Sequence, residues 1–187
     1  MIIAAGVAGY EWFKLMPRTT KNVNKPLAWG FGLLTAGLAT LALYFNDIAL
    51  LLWAASILCW LLSLYWVKTY PQYDAWYNST LNVIGIVLVS SAVTAIFALW
   101  KMSPWWLMYL FLLVWGADSG AYFVGRKLGK RKLAPEVSPN KSLEGLYGGV
   151  ITAMIIVVAV EILYLNLTYA QHLLFLILSV VTVFSSV

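Results

Sequence analysis

Long apolar runs separated by short polar breaks make up most of this sequence. A helix needs about 20 apolar residues to cross a bilayer, and several of the runs reach that length without a charged residue. The pattern predicts an all-α, polytopic transmembrane helical bundle that forms a single membrane domain over residues 1–187. The predicted spans cover about residues 27–45, 48–67, 78–100, 104–123, 146–165 and 173–187.

Both ends of the sequence carry apolar runs that are short for a complete span. Residues 1–10 are apolar and lack the basic region that begins a signal peptide. Residues 173–187 stop without a charged or aromatic anchor. A terminus there would leave backbone carbonyls unsatisfied near the membrane interior. We therefore expect a chain that is truncated at both ends.

Composition and charge fit a membrane protein. Hydrophobic residues make up 63% of the chain and charged residues 10%, whereas soluble domains carry about 25% charged residues. All 12 Lys and Arg residues except Lys101 fall in alternate loops, which places the loop at residues 126–144 in the cytoplasm. The net charge of +5 then reflects loop orientation, and we expect no nucleic-acid partner. The single cysteine, Cys59, excludes a disulfide framework.

One polar segment, from Asp118 to Gly145, holds nine charged residues in a chain with 12 basic and 7 acidic ones. Asp118 lies near the end of the fourth predicted span, where an ionised carboxylate is costly and by default suggests function. On a helix it shares one face with Tyr122. The GxxxG pair at Gly116 and Gly120 would let another helix approach closely. Alternatively, Asp118 only marks the end of the helix near the lipid headgroups.

Two interpretations of the basic run that follows this span stay open. The run can anchor the chain to anionic lipid headgroups, or it can attract a polyanionic substrate by its electrostatic field. Its spacing of Gly and Lys does not fit a Walker A loop. The residues concerned are Arg126, Lys127, Lys130, Arg131 and Lys132.

The segment from Ser138 to Gly145 is the most organised part of the polar region. Ser138 as N-cap and Pro139 in the first turn predict that a helix starts here. A helix start offers free N–H groups to a phosphate, and Lys141 would add a full charge. Glu144 could pair with Lys141 or bind a metal. An ordinary capped helix that enters the membrane explains the same residues.

The sequence around this segment resembles the core of the bacterial phosphatidate cytidylyltransferases, also called CDP-diglyceride synthetases. The resemblance is carried by the stretch VWGADSGAYFVGRKLGKRKLAPEVSPNKSLEGLYGG. Asn140 and Ser142 stand where Gly and Thr are common in bacterial members. The matching positions are Asp118, Ala121, Tyr122, Gly125, Gly129, Ser138, Pro139, Lys141, Ser142 and Gly145.

This resemblance implies transfer of a cytidylyl group from CTP to phosphatidic acid, with Mg²⁺ as cofactor, in the bacterial inner membrane. It implies catalytic roles for Asp118 and Lys141, and a metal contact for Asp118. The main metal-binding aspartates are expected beyond Val187, so we expect the 187-residue chain alone to be inactive. The implied substrate-binding residues are Tyr122, Arg126, Lys127, Lys130, Arg131, Lys132, Ser138, Asn140, Ser142 and Glu144.

Other functions stay open at this point. CTP-dependent kinases of polyprenols or phytol look similar around Lys141, Ser142 and Glu144. A non-catalytic transporter or scaffold would also suit an intramembrane carboxylate and basic loops, although no inverted repeat is visible. A homodimer is an open prediction as well.

Overall fold

The computed structural model describes residues 1–15, 25–69, 79–135, 138–164 and 168–186. Helices dominate these residues, and the expected all-α, polytopic class is confirmed. A two-stranded antiparallel sheet is the one addition within them. The elements are α1 (Ile2–Leu15), α2 (Lys25–Tyr44), α3 (Asn46–Thr69), α4 (Ser79–Met102), α5 (Pro104–Leu128), β1 (Lys132–Ala134), β2 (Ser138–Ser142), α6 (Leu143–Tyr164) and α7 (Tyr169–Ser186).

Five of the described helices, α2 to α6, are long and apolar enough to cross a membrane. They coincide with the first five predicted spans. The sixth predicted span corresponds to α7, whose apolar part, Tyr169–Phe184, is shorter. Several residues used in the sequence interpretation lie outside the described residues: Arg18, Lys21, Asn78, Glu136, Leu165 and Val187.

The predicted loop at 126–144 differs from the observed structure. Helix α5 continues to Leu128, so Arg126 and Lys127 form part of its last turn. The rest of the loop contains β1 and β2, which pair with Lys132 opposite Ser142 and Ala134 opposite Ser138. Arg126, Lys127, Lys132 and Lys141 therefore lie on regular structure, whereas Lys130 and Arg131 lie in the turn between α5 and β1.

Residues 1–103 form a compact unit that contains α1 to α4. Small residues bring α1 and α2 together, since a Cβ on Gly32 would lie 2.6 Å from the Gly6 carbonyl oxygen. Hydrogen bonds between helices add to this packing. The Trp53 indole N–H donates to Thr94 Oγ1 (3.1 Å), and the Ser91 hydroxyl donates to the Leu52 carbonyl oxygen (2.9 Å).

Residues 104–187 form a second compact unit that contains α5 to α7 and the two strands. Its apolar core joins all three helices and is built from Leu113, Ala117, Ala153, Val157 and Val183. The expectation of a single membrane domain stays a prediction, and each unit is described by itself.

Candidate functional site

A cleft of about 630 Å³ lies in the second unit, beside the face of α5 that was predicted to carry Asp118 and Tyr122. It combines one carboxylate, two cations, several hydroxyl and amide groups, and two leucines. The hairpin of β1 and β2 and the start of α6 complete its wall. The lining residues are Asp118, Ala121, Tyr122, Gly125, Arg126, Leu133, Ser138, Asn140, Lys141, Ser142, Gly145 and Leu146.

Glycines on α5 and α6 bring the two helices of the cleft into backbone contact. A Cβ on Gly120 would lie 2.8 Å from the Gly148 carbonyl oxygen, and one on Gly145 would lie 2.9 Å from the Ala121 carbonyl oxygen. Gly116 also faces α6, where it packs on the side chain of Ile156. The predicted role of the GxxxG pair in close helix approach is confirmed.

The predicted helix start at Ser138 is wrong. Residues 138–142 form β2, and α6 begins at Leu143. Ser142 takes the N-cap role instead, since its Oγ accepts a hydrogen bond from the Gly145 N–H (3.2 Å). The segment holds two capping serines, and pairing of β2 with β1 keeps the first of them extended.

At the observed start of α6, some of the backbone N–H groups already donate hydrogen bonds within the protein. The Leu143 N–H donates to the Arg131 carbonyl oxygen (2.9 Å), and the Gly145 N–H is bound to Ser142 Oγ (3.2 Å). Ser142 is itself buried and surrounded by Gly125, Gly129 and Gly145. The expected phosphate site at a helix start is therefore not formed at Ser138.

Glu144 contacts the basic turn that precedes β1. Its Oε2 accepts hydrogen bonds from the backbone N–H groups of Lys130 (3.0 Å) and Arg131 (3.2 Å). Its Oε1 accepts one from Arg131 Nε (3.1 Å), which makes an ion pair. Glu144 is absent from the lining of the cleft. The hydrogen-bond partners of Glu144 thus lie in the turn that leads into the hairpin, outside the cleft.

The structure divides the predicted site residues into two groups. Seven of them line the cleft: Asp118, Tyr122, Arg126, Ser138, Asn140, Lys141 and Ser142. Five do not: Lys127, Lys130, Arg131, Lys132 and Glu144. Within the cleft, Arg126 Nη1 donates to the Tyr122 hydroxyl (3.0 Å), which ties the guanidinium to the same helix face.

Two apolar lining residues, Leu133 and Leu146, were missed by the sequence interpretation. No motif position pointed to them, because both belong to ordinary apolar stretches. Only the pairing of β1 with β2 and the corrected start of α6 bring them into the same cleft as Asp118. The cleft lining therefore includes apolar as well as charged residues.

Asp118 is the carboxylate among the residues that line the cleft. Over the residues that the structure describes, no group of three or more His, Cys, Asp or Glu side chains could hold a metal ion. The cleft adds the hydroxyl and amide oxygens of Ser138 and Asn140. Mg²⁺ usually needs only one or two carboxylates when substrate phosphates supply other oxygens.

Comparison with known families adds a finding that covers the whole sequence. The model of a family described as the cytidylyltransferase family matches residues 1–187. The chain belongs to the cytidylyltransferase family. The expected family is confirmed.

Curated relatives share this family and are similar over part of their length. A phosphatidate cytidylyltransferase of Pseudomonas aeruginosa is 39% identical over 98 residues, which cover 50% of this chain and 36% of the relative. One of Haemophilus influenzae is 68% identical over 50 residues, 27% of this chain and 17% of the relative. One of Bacillus subtilis is 53% identical over 51 residues, which cover 27% of this chain and 19% of the relative. The matched segments thus span about a third of these relatives or less, and no solved structure matches the chain.

Proposed function

We propose that the natural protein containing these residues transfers a cytidylyl group from CTP to phosphatidic acid, giving CDP-diacylglycerol and pyrophosphate. The observation that carries this proposal is the cleft, which Asp118 and Arg126 of α5 and Lys141 of β2 line together. The cleft lies at the end of a helix long enough to cross a membrane. Such a position suits a reaction between a water-soluble nucleotide and a lipid headgroup.

The reaction asks for positioning and charge neutralisation more than for covalent chemistry. A phosphate oxygen of the lipid attacks the α-phosphorus of CTP. The bond between that phosphorus and the bridging oxygen to the β-phosphate breaks, and pyrophosphate leaves. Arg126 and Lys141 supply positive charge against the developing negative charge. Ser138 and Asn140 offer further hydrogen bonds to phosphate oxygens.

Mg²⁺ is the cofactor that the cleft suits best. Asp118 would hold it together with oxygen atoms of the bound CTP, in keeping with the preference of Mg²⁺ for carboxylates and phosphates. When bound, the ion neutralises phosphate charge. Lys141 and Arg126 then share the remaining charge and keep the two polyanions in register.

The membrane setting gives the remaining residues a role. We place the end of α5 and the hairpin on the cytoplasmic side of a bacterial inner membrane, where CTP is available. The basic residues outside the cleft, Lys127, Lys130 and Lys132, attract CTP and anionic headgroups. The apolar lining residues Leu133 and Leu146 would contact the glycerol and acyl portion of the lipid. A homodimer, which the sequence leaves open, is tested separately by the mass of the particle in nanodiscs.

A labelling experiment tests this function against the kinase alternative. The natural protein is reconstituted with phosphatidic acid, diacylglycerol and a polyprenol, and is given CTP labelled at either the α- or the γ-phosphorus. Label from α-labelled CTP in chloroform-extractable lipid, with release of pyrophosphate, is the expected result. Lipid labelled only from γ-labelled CTP would identify a kinase and overturn the proposal. No labelled lipid in either arm would overturn it in favour of a non-catalytic protein.

The same assay tests the expectation that the 187-residue chain alone is inactive. We expect no labelled lipid from this chain under conditions where the natural protein is active. Far-UV circular dichroism of the same sample verifies that the helices have formed. Labelled lipid from the short chain would show that its own cleft suffices.

A further inference from the structure

The hairpin of β1 and β2 supplies a large part of the cleft wall, although it is short. It contributes Leu133, Ser138, Asn140, Lys141 and Ser142 to the lining. Two-stranded hairpins are marginally stable by themselves. The hairpin must therefore be fixed by contacts with the helices if Lys141 is to keep its position.

The Glu144 carboxylate makes such a contact at the turn that leads into β1. It accepts hydrogen bonds from three N–H groups: Lys130 N (3.0 Å), Arg131 N (3.2 Å) and Arg131 Nε (3.1 Å). The backbone adds a fourth bond in the same place, from the Leu143 N–H to the Arg131 carbonyl oxygen (2.9 Å). Arg131 is thus bound through its amide, its carbonyl and its side chain to the first two residues of α6.

The two partners of this ion pair differ in solvent exposure. The Glu144 side chain is 21% exposed, whereas that of Arg131 is 67% exposed. Most of the Glu144 side chain is therefore covered by the protein, while most of the Arg131 side chain is open to solvent. Surface ion pairs by themselves contribute little, so the two backbone N–H groups are the more important partners. They cannot leave the carboxylate without moving the chain that leads into β1.

We propose that Glu144 is a positioning residue, which fixes the hairpin so that Lys141 and Asn140 keep their places in the cleft. This inference rests on the proposed function for its catalytic consequence. A simpler role is that Glu144 only stabilises the start of α6 through the helix dipole. Exchange at the Lys130 and Arg131 amides separates the two roles, because a helix-dipole effect acts on α6 alone. Asp47 is the matched control for the loss of a first-turn carboxylate, since it is likewise the second residue of a helix, α3, in the other unit.

The first arm of the test measures amide exchange in the whole protein, in nanodiscs. Glu144→Gln keeps the size of the side chain but loses one acceptor oxygen and turns an NH₂ group toward Arg131 Nε. We expect exchange at Lys130 and Arg131 to accelerate about tenfold or more, while α5 keeps its protection. Arg131→Ala, which leaves the two backbone bonds in place, should give a smaller change at Lys130. Asp47→Asn should change neither amide.

The second arm measures cytidylyl transfer by the same variants. A displaced hairpin moves Lys141, so Glu144→Gln should lower kcat about tenfold or more with a smaller change in KM for CTP. Glu144→Asp, which keeps the charge, should recover part of the loss. Asp47→Asn should retain the activity of the unmodified protein.

The outcomes separate this inference from the proposed function. Unchanged exchange at Lys130 and Arg131 in Glu144→Gln would overturn the positioning role whatever the activity. Faster exchange with full kcat would overturn it too, because the hairpin position would not matter to the reaction. If the unmodified protein transfers no cytidylyl group, the proposed function fails, and the exchange arm still decides whether Glu144 holds the turn. Should Glu144→Gln fail to fold, Glu144→Asp carries the same comparison, because it keeps the charge at the helix start while its shorter side chain reaches the backbone N–H groups of Lys130 and Arg131 less well.

Discussion

The two compact units use polar side chains inside apolar helices in different ways. In residues 1–103, polar groups join helices to one another, as in the bonds from Trp53 to Thr94 and from Ser91 to the Leu52 carbonyl. In residues 104–187, glycines hold α5 against α6, and the charged face of α5 with Asp118 lines an open cleft. Neutral polar groups join helices in both units, since the Tyr109 hydroxyl also bonds Ser179 Oγ between α5 and α7 (2.7 Å). The second unit in addition presents charged side chains to an open cleft.

Removing charge from the cleft should have the largest effect. Asp118→Asn and Lys141→Met should each lower kcat for cytidylyl transfer by about 100-fold or more, because the first removes the proposed Mg²⁺ contact and the second removes a positive charge that neutralises phosphate. Both side chains are exposed, so thermal unfolding in detergent should change little. Lys101→Met, at the end of α4, serves as the control. Full activity in Asp118→Asn would move the reaction away from this cleft.

Crowding the glycine contact should damage the second unit through packing rather than chemistry. In Gly120→Leu the new side chain meets Thr152 and the Gly148 carbonyl of α6, and overpacking of this kind costs about 1–3 kcal/mol. The midpoint of thermal unfolding in detergent measures the loss. Gly37→Leu on α2 is the matched control, since a Cβ there meets nothing within 4 Å. Equal losses in both variants would mean that α5 and α6 do not depend on this approach.

Neutralising the basic residues outside the cleft should have a moderate effect that depends on salt. Replacing Lys127, Lys130 and Lys132 by Gln should raise KM for CTP about three- to tenfold at low ionic strength, because steering weakens. The difference should shrink as salt screens the charges, and kcat should stay unchanged. Lys68→Gln in the other unit is the control. A fall in kcat like that of Lys141→Met would assign these lysines to the reacting phosphates instead.

Breaking a helix–helix hydrogen bond in the first unit should have the smallest effect. Ser91→Ala removes the bond to the Leu52 carbonyl of α3, and such bonds in membrane proteins contribute about 0.6 kcal/mol. Ser63→Ala is matched to it, because the Ser63 hydroxyl bonds within its own helix, to Cys59. Equilibrium unfolding in mixed micelles gives both values. A cost for Ser91→Ala no greater than that for Ser63→Ala would mean that this bond between helices does not stabilise the first unit.

Local patterns could predict the helices because their cause is local. The apolar runs that form α2 to α6 are long enough to span a bilayer, and a backbone in lipid must satisfy its hydrogen bonds within the segment. The start of α6 could not be predicted in the same way. Ser138 and Ser142 are both good caps, and pairing between β1 and β2 selected the second.

The sequence predicted the site residues together, but it did not predict which of them line the cleft and which do not. The sequence places several cations near Glu144, and nothing in their spacing selects Arg131. That choice follows from the path of the chain between α5 and α6, which places Arg131 beside Glu144 at the start of α6, 13 positions further along the sequence. Leu133 and Leu146 line the cleft for a similar reason. Nothing in the sequence distinguishes them from the other apolar residues, and only the pairing of the strands brings them to the cleft.

The sequence by itself determined the membrane-length helices, the polar region from Asp118 to Gly145, and the family. Each depends on hydropathy or on the order of residues along the chain, which need no knowledge of distant contacts. Only the tertiary structure decided which side chains share the cleft and which hold the hairpin. Those outcomes depend on the backbone approach of α5 to α6 and on strand pairing, both of which are contacts between separate elements that no single stretch of sequence specifies.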